Sequence, residues 1–512
     1  MSEEKEQISA AQRGVLAGVL AGAVSMIFWY KALTDASNGM FSVTRLGNAK
    51  CYILFIILFA AVYVLGYGAL SLVRVRVRPI GTGWKLALFA VGAVVSFWLV
   101  IPFFRGRWNF PFWFTAIMGI VVLVSVFLAV SREADGRRYA YIGLIVVFGM
   151  FWGWSEAAVN TFADASVGSA YNIFHTSAYI DQIFNVYHGV EFQGGLTDLY
   201  GHYGLFFWLP LKLFGGTTRT IAAVIGIMGM LTFVFAMTSF CMVVRSNAIR
   251  LFTIVTAGLA GICVDLESIY WQNYPHRLFF AALTLFLITI FCRKRVRMRW
   301  QLACGIVLTS LSVLWSTECG LICCLMWTSF LLLRYFQEHA FSLRGLGAAV
   351  LLLLAGVVLP VLIAFLMANA YHVLHGGGFL AFQEFFGLVN GDYLGVLSTE
   401  LKWGNLKYLH QVFAFIICLF WGVLHNKIFG LDKQEEKACY AAALSIVGIA
   451  LSLYYVNRTL AGDALPNLFF ACALGLILSG VSDTLKNLKD RAAIRGVSVY
   501  GICKLFVGMW AV

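Results

Sequence analysis

About fourteen long apolar runs, separated by short polar connections, leave this chain of 512 residues little choice of fold. A hydrocarbon layer of ~30 Å takes about 20 apolar residues as a helix, and run after run approaches that length. In lipid such runs must satisfy their own backbone hydrogen bonds, which restricts them to helices or closed barrels. The period-two alternation of a transmembrane barrel is absent from them. The expected fold is therefore all-α: a polytopic transmembrane helical bundle. Composition agrees, because 61% hydrophobic residues, 12% charged residues and a mean hydropathy of +0.85 lie outside the range of soluble domains.

The connections differ in charge by parity. Of the 37 Lys and Arg residues, 25 fall in connections of one parity and 11 in the other, with Lys504 inside the last apolar run. Basic loops stay cytoplasmic, so the N-terminus and the RKRVRMR segment at Arg293–Arg299 are expected inside. The net charge of +13 fits this bias together with attraction to anionic head groups. It does not indicate nucleic acid, since the basic residues are scattered over many short loops. The twelve cysteines mostly sit within apolar runs (Cys241, Cys304, Cys323, Cys324, Cys418, Cys472) and read as small buried hydrophobes. Met1 to Arg13 is polar, and no small-residue cleavage site follows the first span, so a retained first helix is expected.

Expected spans run Gly14–Tyr30, Tyr52–Val73, Leu86–Phe104, Pro111–Val130 and Ala140–Ser155. A long polar stretch, Glu156–Arg219, follows as an outer loop. Within it, the eleven residues Gly204–Phe214 (GLFFWLPLKLF) would make a helix of ~16 Å, too short to cross and suited to the interface. Spans at Thr220–Val244, Leu251–Val264 and Leu278–Cys292 come next. Two short helices, Gln301–Leu314 and Cys319–Leu333, are expected to meet at WSTE in a turn dipping below the outer surface. Leu346–Ala370 and two further hairpins complete the core. The chain thus divides into a four-helix segment (1–139), a core (140–483) with outer loops 156–219, 265–277, 371–408 and 454–467, and a basic tail (484–512). The tail ends in an apolar run, Gly496–Val512, expected as a fifteenth or a truncated helix. No internal repeat argues for a transporter by inverted symmetry.

Charges in or beside spans cost about 2.5–3.5 kcal/mol each on insertion scales, so they are functional candidates. Four clusters qualify, all on the expected outer side: the long loop with Glu156, Asp164, His175, Asp181, Asp198 and His202; YWQNYPHR ending in Arg277; Glu318 in WSTE; and Asn457 with Arg458. Each also has a plainer reading. The glutamates fit ion pairs at helix ends, the loop acids and histidines fit capping, and the arginines fit head-group anchoring.

Several pieces together carry a family likeness. LYGHYG (Leu199–Gly204), LPLKLFGG (Leu209–Gly216) and Arg219 follow a polar loop, and HTSAYIDQIFNVYHGVEF (His175–Phe192) precedes them. With the WSTE turn, this set resembles the first outer loop and the helix-pair turn of bacterial GT-C glycosyltransferases, over roughly Ala140 to Ser479. The resemblance implies an enzyme of the bacterial plasma membrane. It would move a sugar from a polyprenyl-phosphate carrier to a cell-envelope glycan or lipid acceptor on the outer face. It implies a carboxylate base among Glu156, Asp164 and Asp181. Substrate contacts would come from His175, Asp198, His202, Tyr203 and Glu318. The lipid phosphate would be held by Arg219, Arg277 and Arg458. The partners are then the bilayer, the lipid-linked donor and the acceptor, with no nucleic acid. No cofactor is obligatory, and no residue pattern calls for a divalent metal. The chain departs from the family in lacking an Asp-x-Asp after the fifth span and in carrying Ala178 where some relatives have Glu. An O-antigen-type polymerase or ligase is the alternative enzyme. A transporter or flippase of a lipid-linked sugar is the alternative from another class, although only Pro360 interrupts a span.

Overall fold

The computed structural model describes residues 6–7, 17, 20, 21, 24, 25, 45–72, 76–77, 141–150, 152–153, 170–194, 198, 200–263, 275–338, 343–386, 410–424, 435–457 and 467–489. The regular secondary structure of the described residues is helical apart from a two-residue antiparallel ladder, Glu6–Gln7 with Arg76–Val77. Six of their helices are long and apolar enough to cross a membrane: Tyr52–Leu72, Thr218–Val243, Met298–Trp315, Thr317–Phe336, Gly345–Leu374 and Glu436–Leu453. This is the pattern of a membrane protein. The spans expected over 86–104 and 111–130 and the last run lie outside the described residues, as do Glu156, Asp164 and Arg458.

In chain order the helices are α1 (Arg45–Leu72), α2 (Tyr141–Met150), α3 (Ala170–His188), α4 (Gly204–Phe214), α5 (Thr218–Val243), α6 (Asn247–Cys263) and α7 (Phe279–Lys294). They continue as α8 (Met298–Trp315), α9 (Thr317–Glu338), α10 (Leu343–Leu353), α11 (Leu359–Leu374) and α12 (Phe382–Phe385). The last are α13 (His410–Leu424), α14 (Glu435–Asn457) and α15 (Asn467–Lys489). Helix α14 is the hub, packing against α13, α9, α7 and α1, and 72% of its spanning window is buried. The α10–α11 span has only 22% of its window buried, so it stands at the periphery with a lipid-ready face of Leu and Val.

Two expectations are corrected. The α8–α9 pair is not short: 18 and 22 residues at about 1.5 Å each give ~27 and ~33 Å, and a single residue, Ser316, joins them. Gly320 makes that hairpin tight, since a β-carbon there would collide with the Val313 backbone. Nor is the polar stretch after residue 155 a loop throughout. It contains the nineteen-residue helix α3, whose buried Tyr179, Gln182, Ile183 and Val186 recur at helical spacing beneath a polar exterior.

Other elements match the local signals. Helix α4 has the expected bounds, burying Gly204, Phe207 and Leu211 while exposing Trp208, Leu209, Leu213 and Phe214. Lys212 reaches over the Tyr187 ring at 4.3 Å. Helix α5 starts at Thr217, whose hydroxyl accepts from the Thr220 N–H at 3.3 Å. Between α10 and α11 a π-helical turn, Leu354–Val358, widens the backbone ahead of Pro360. Proline has no N–H to donate and its ring crowds the preceding turn, so the widening relieves both problems.

Candidate functional site

Of the expected site residues, Asp181, Asp198, His202, Tyr203, Arg277 and Glu318 lie on α3, at 198, in the 200–204 turn, at the start of α7 and at the α8–α9 turn, segments joined by hydrogen bonds. Gln182 of α3 organises the turn. Its Nε2 donates to the Asp198 carboxylate at 2.7 Å and to the Gly201 carbonyl at 2.6 Å. Its Oε1 accepts from the Gly204 N–H at 2.9 Å. Gly201 takes φ +115, and a β-carbon there would collide with the Trp315 carbonyl. The turn is thus pressed onto the end of α8, where the His202 N–H donates to the Leu314 carbonyl at 2.9 Å.

A second network ties in the residue before Arg277. The His276 Nε2 lies 3.1 Å from the Tyr200 carbonyl, which can only accept, so Nε2 carries the proton. Nδ1 is then the acceptor, and the Tyr179 hydroxyl donates to it at 2.7 Å. The Trp315 indole N–H donates to the His276 carbonyl at 2.9 Å. The Tyr179, Tyr203 and Trp315 rings enclose the imidazole. Burial in this shell pushes the His276 pKa down to about 3, and the adjacent Arg277 charge adds to the effect.

Arg277, itself buried, lies 3.9 Å from Glu318, whose side chain is 32% exposed. At that distance the pair is a charge contact longer than a hydrogen bond. Glu318 stands in the first turn of α9, where the helix dipole also favours its negative charge. A buried guanidinium beside a solvent-reached carboxylate suits an anion that arrives from the solvent or head-group layer.

The remaining candidates divide. Asp198 is buried with both carboxylate oxygens engaged, the second by the Gly194 N–H at 2.5 Å. Burial raises its pKa, while its hydrogen bonds from Gln182 and Gly194 oppose the rise. Tyr203 is buried, and its hydroxyl donates to the Tyr179 carbonyl at 3.1 Å. His202 is buried between Phe192 and Phe385, held near pKa 3 by desolvation, and its Nδ1 has no hydrogen-bond partner among the described residues. These three act as parts of the frame. Asp181, next to Gln182 on α3, is exposed, and partial desolvation lifts its carboxyl above the ordinary value. His175 belongs to α3, but its side chain lies outside the described residues. Arg219 is exposed in the first turn of α5.

Tyr179, Gln182, His276 and Trp315 were not marked by sequence reading. A weak signal existed for Gln182, a lone amide on the buried stripe of an aromatic helix. His276 lay within the YWQNYPHR cluster, but that cluster was read for Arg277 alone. Among the described residues, no group of three His, Cys, Asp or Glu side chains stands close enough to hold a metal ion. No protein-family model, curated protein or solved structure matches the chain. The geometry of these residues is therefore the ground for any functional reading.

Proposed function

We propose that this protein is a membrane glycosyltransferase that moves a sugar from a polyprenyl-phosphate carrier to a cell-envelope glycan or lipid acceptor at the outer face. The observation that carries the reading is Arg277, buried at the end of a membrane-length bundle and facing the partly exposed Glu318. A guanidinium in that position matches the phosphate of a bilayer-borne donor, whose reacting end lies at the membrane surface. In the reaction the acceptor hydroxyl attacks the anomeric carbon, and the bond from that carbon to the phosphate oxygen breaks. The carrier phosphate leaves with the electron pair, and a carboxylate takes the hydroxyl proton. Asp181 supports this assignment by its exposure and raised pKa. Glu156 and Asp164 share the role of candidate base. Glu318 lines the substrate site as the carboxylate with which the arriving phosphate competes for Arg277.

The test is transfer from a radiolabelled polyprenyl-phosphate sugar pool in membranes. Arg277→Ala should weaken donor use, and combined amide replacement of Glu156, Asp164 and Asp181 should lower turnover by about 10²–10⁴-fold. Full activity in both variants would end the reading. A flippase reading draws on the π-helical turn before Pro360, a local irregularity within the continuous span Gly345–Leu374. Movement of a lipid-linked sugar across proteoliposomes without glycosyl transfer would favour it.

A further inference from the structure

We infer that Tyr179 and His276 are positioning residues that fix the direction of Arg277 toward the phosphate of a lipid-borne donor; this rests on the reading of Arg277 given above. Three hydrogen bonds converge on His276 from chain segments 97, 76 and 39 residues away. Two hold its ring and the third holds its carbonyl, which is part of the peptide unit leading directly into Arg277. The turn is closed by Leu278 and Phe279 N–H groups donating to the Pro275 carbonyl at 3.0 and 2.8 Å. Arg277 is thus the first charged side chain on a backbone that cannot rotate without breaking these bonds.

The other end of the network fixes Glu318. Trp315, which donates to His276, ends α8 three residues before Glu318, and Ser316 is the sole residue between the two helices. The same bonds therefore set both members of the charged pair. An apolar residue would fill the site of His276 as well, but it would not set a direction. A fully satisfied buried polar network does so, and anion recognition at a transfer site tolerates errors of only about 0.5 Å. Arg277, whose guanidinium does not titrate in the ordinary range, stands beside a neutral imidazole.

The experiment uses the full chain in phosphatidylcholine nanodiscs with undecaprenyl phosphate as the probe. Arg277→Gln should weaken binding by about tenfold or more, the loss of a charge-assisted hydrogen bond. Tyr179→Phe, which removes one oxygen and keeps the ring, should weaken binding by about threefold to tenfold. In the Arg277→Gln background Tyr179→Phe should add nothing. A matched variant, Tyr371→Phe, removes a hydroxyl that donates to the Val190 carbonyl at 2.8 Å and should leave affinity unchanged. Wild-type affinity in Tyr179→Phe overturns the inference while leaving the Arg277 reading intact. An equal loss in both backgrounds does the same, because it shows general loosening. Binding indifferent to Arg277→Gln overturns the functional reading, and the positioning role falls with it.

Discussion

The helix seams of the bundle and the end capped by α3 and the 198–204 turn are both buried, yet different forces hold them. In the seams glycines let aromatic rings lie directly on a neighbouring backbone. Trp327 packs over Gly305, Phe415 over Gly448, and Phe240 with Thr253 over Gly475. Lipid tails are as apolar as the side chains, so close van der Waals contact supplies the stability there. At the capped end, directional hydrogen bonds around Gln182 and His276 do the holding. The contrast teaches that the seams decide whether the bundle forms, whereas the capped end decides where a few polar atoms stand.

The largest expected effect is in a seam. Gly305→Val would place a side chain inside the Trp327 ring, which is pinned by its N–H donating to the Gln301 carbonyl at 3.0 Å. We expect destabilisation of about 3 kcal/mol or more, seen as loss of monodisperse protein on detergent extraction. A well-folded variant would show that the seam can yield. Next comes Gln182→Leu, which strips partners from Asp198, Gly201 and Gly204 at a cost of about 1–3 kcal/mol per buried group left unpaired. Hydrogen exchange should rise in α3 and 200–204 while α9 and α14 stay protected. An equal rise in all of them would abolish the distinction between the two regions.

Acid should separate the regions without mutation. His202 and His276 are held near pKa 3, well below the ordinary 6.5, by burial. Unfolded imidazoles take up protons below about 6.5 and the folded ones refuse them until about 3. Stability is therefore full above that range and falls as pH drops through it. The capped end should open first in acid, and His202→Phe should blunt the slope of the denaturation midpoint against pH. Glu318→Gln should have the smallest effect on stability, less than about 1 kcal/mol, because its carboxylate is partly exposed. It should tighten undecaprenyl phosphate binding a few-fold, since the anion no longer competes with Glu318 for Arg277. Unchanged affinity would detach Glu318 from the site.

Residue order by itself determined the helical class, the positions of most described helices and the bounds of α4, because hydropathy and helical period are local properties. It also singled out Arg277 and Glu318, since a charge beside an apolar run is costly wherever the chain goes. It misjudged the α8–α9 pair, where polar and charged residues, chiefly at the ends away from the WSTE turn (298–300 and 334–338), hid a continuing helix, and it missed α3, whose buried stripe includes Gln182. Tertiary structure alone decided that Arg277 faces Glu318, that Asp198 is a clamp, and that the His276 ring is neutral with its proton on Nε2. Those outcomes depend on donors and acceptors brought together across dozens of residues. A hydrogen bond needs its partner within about 3 Å, and no local pattern carries that distance.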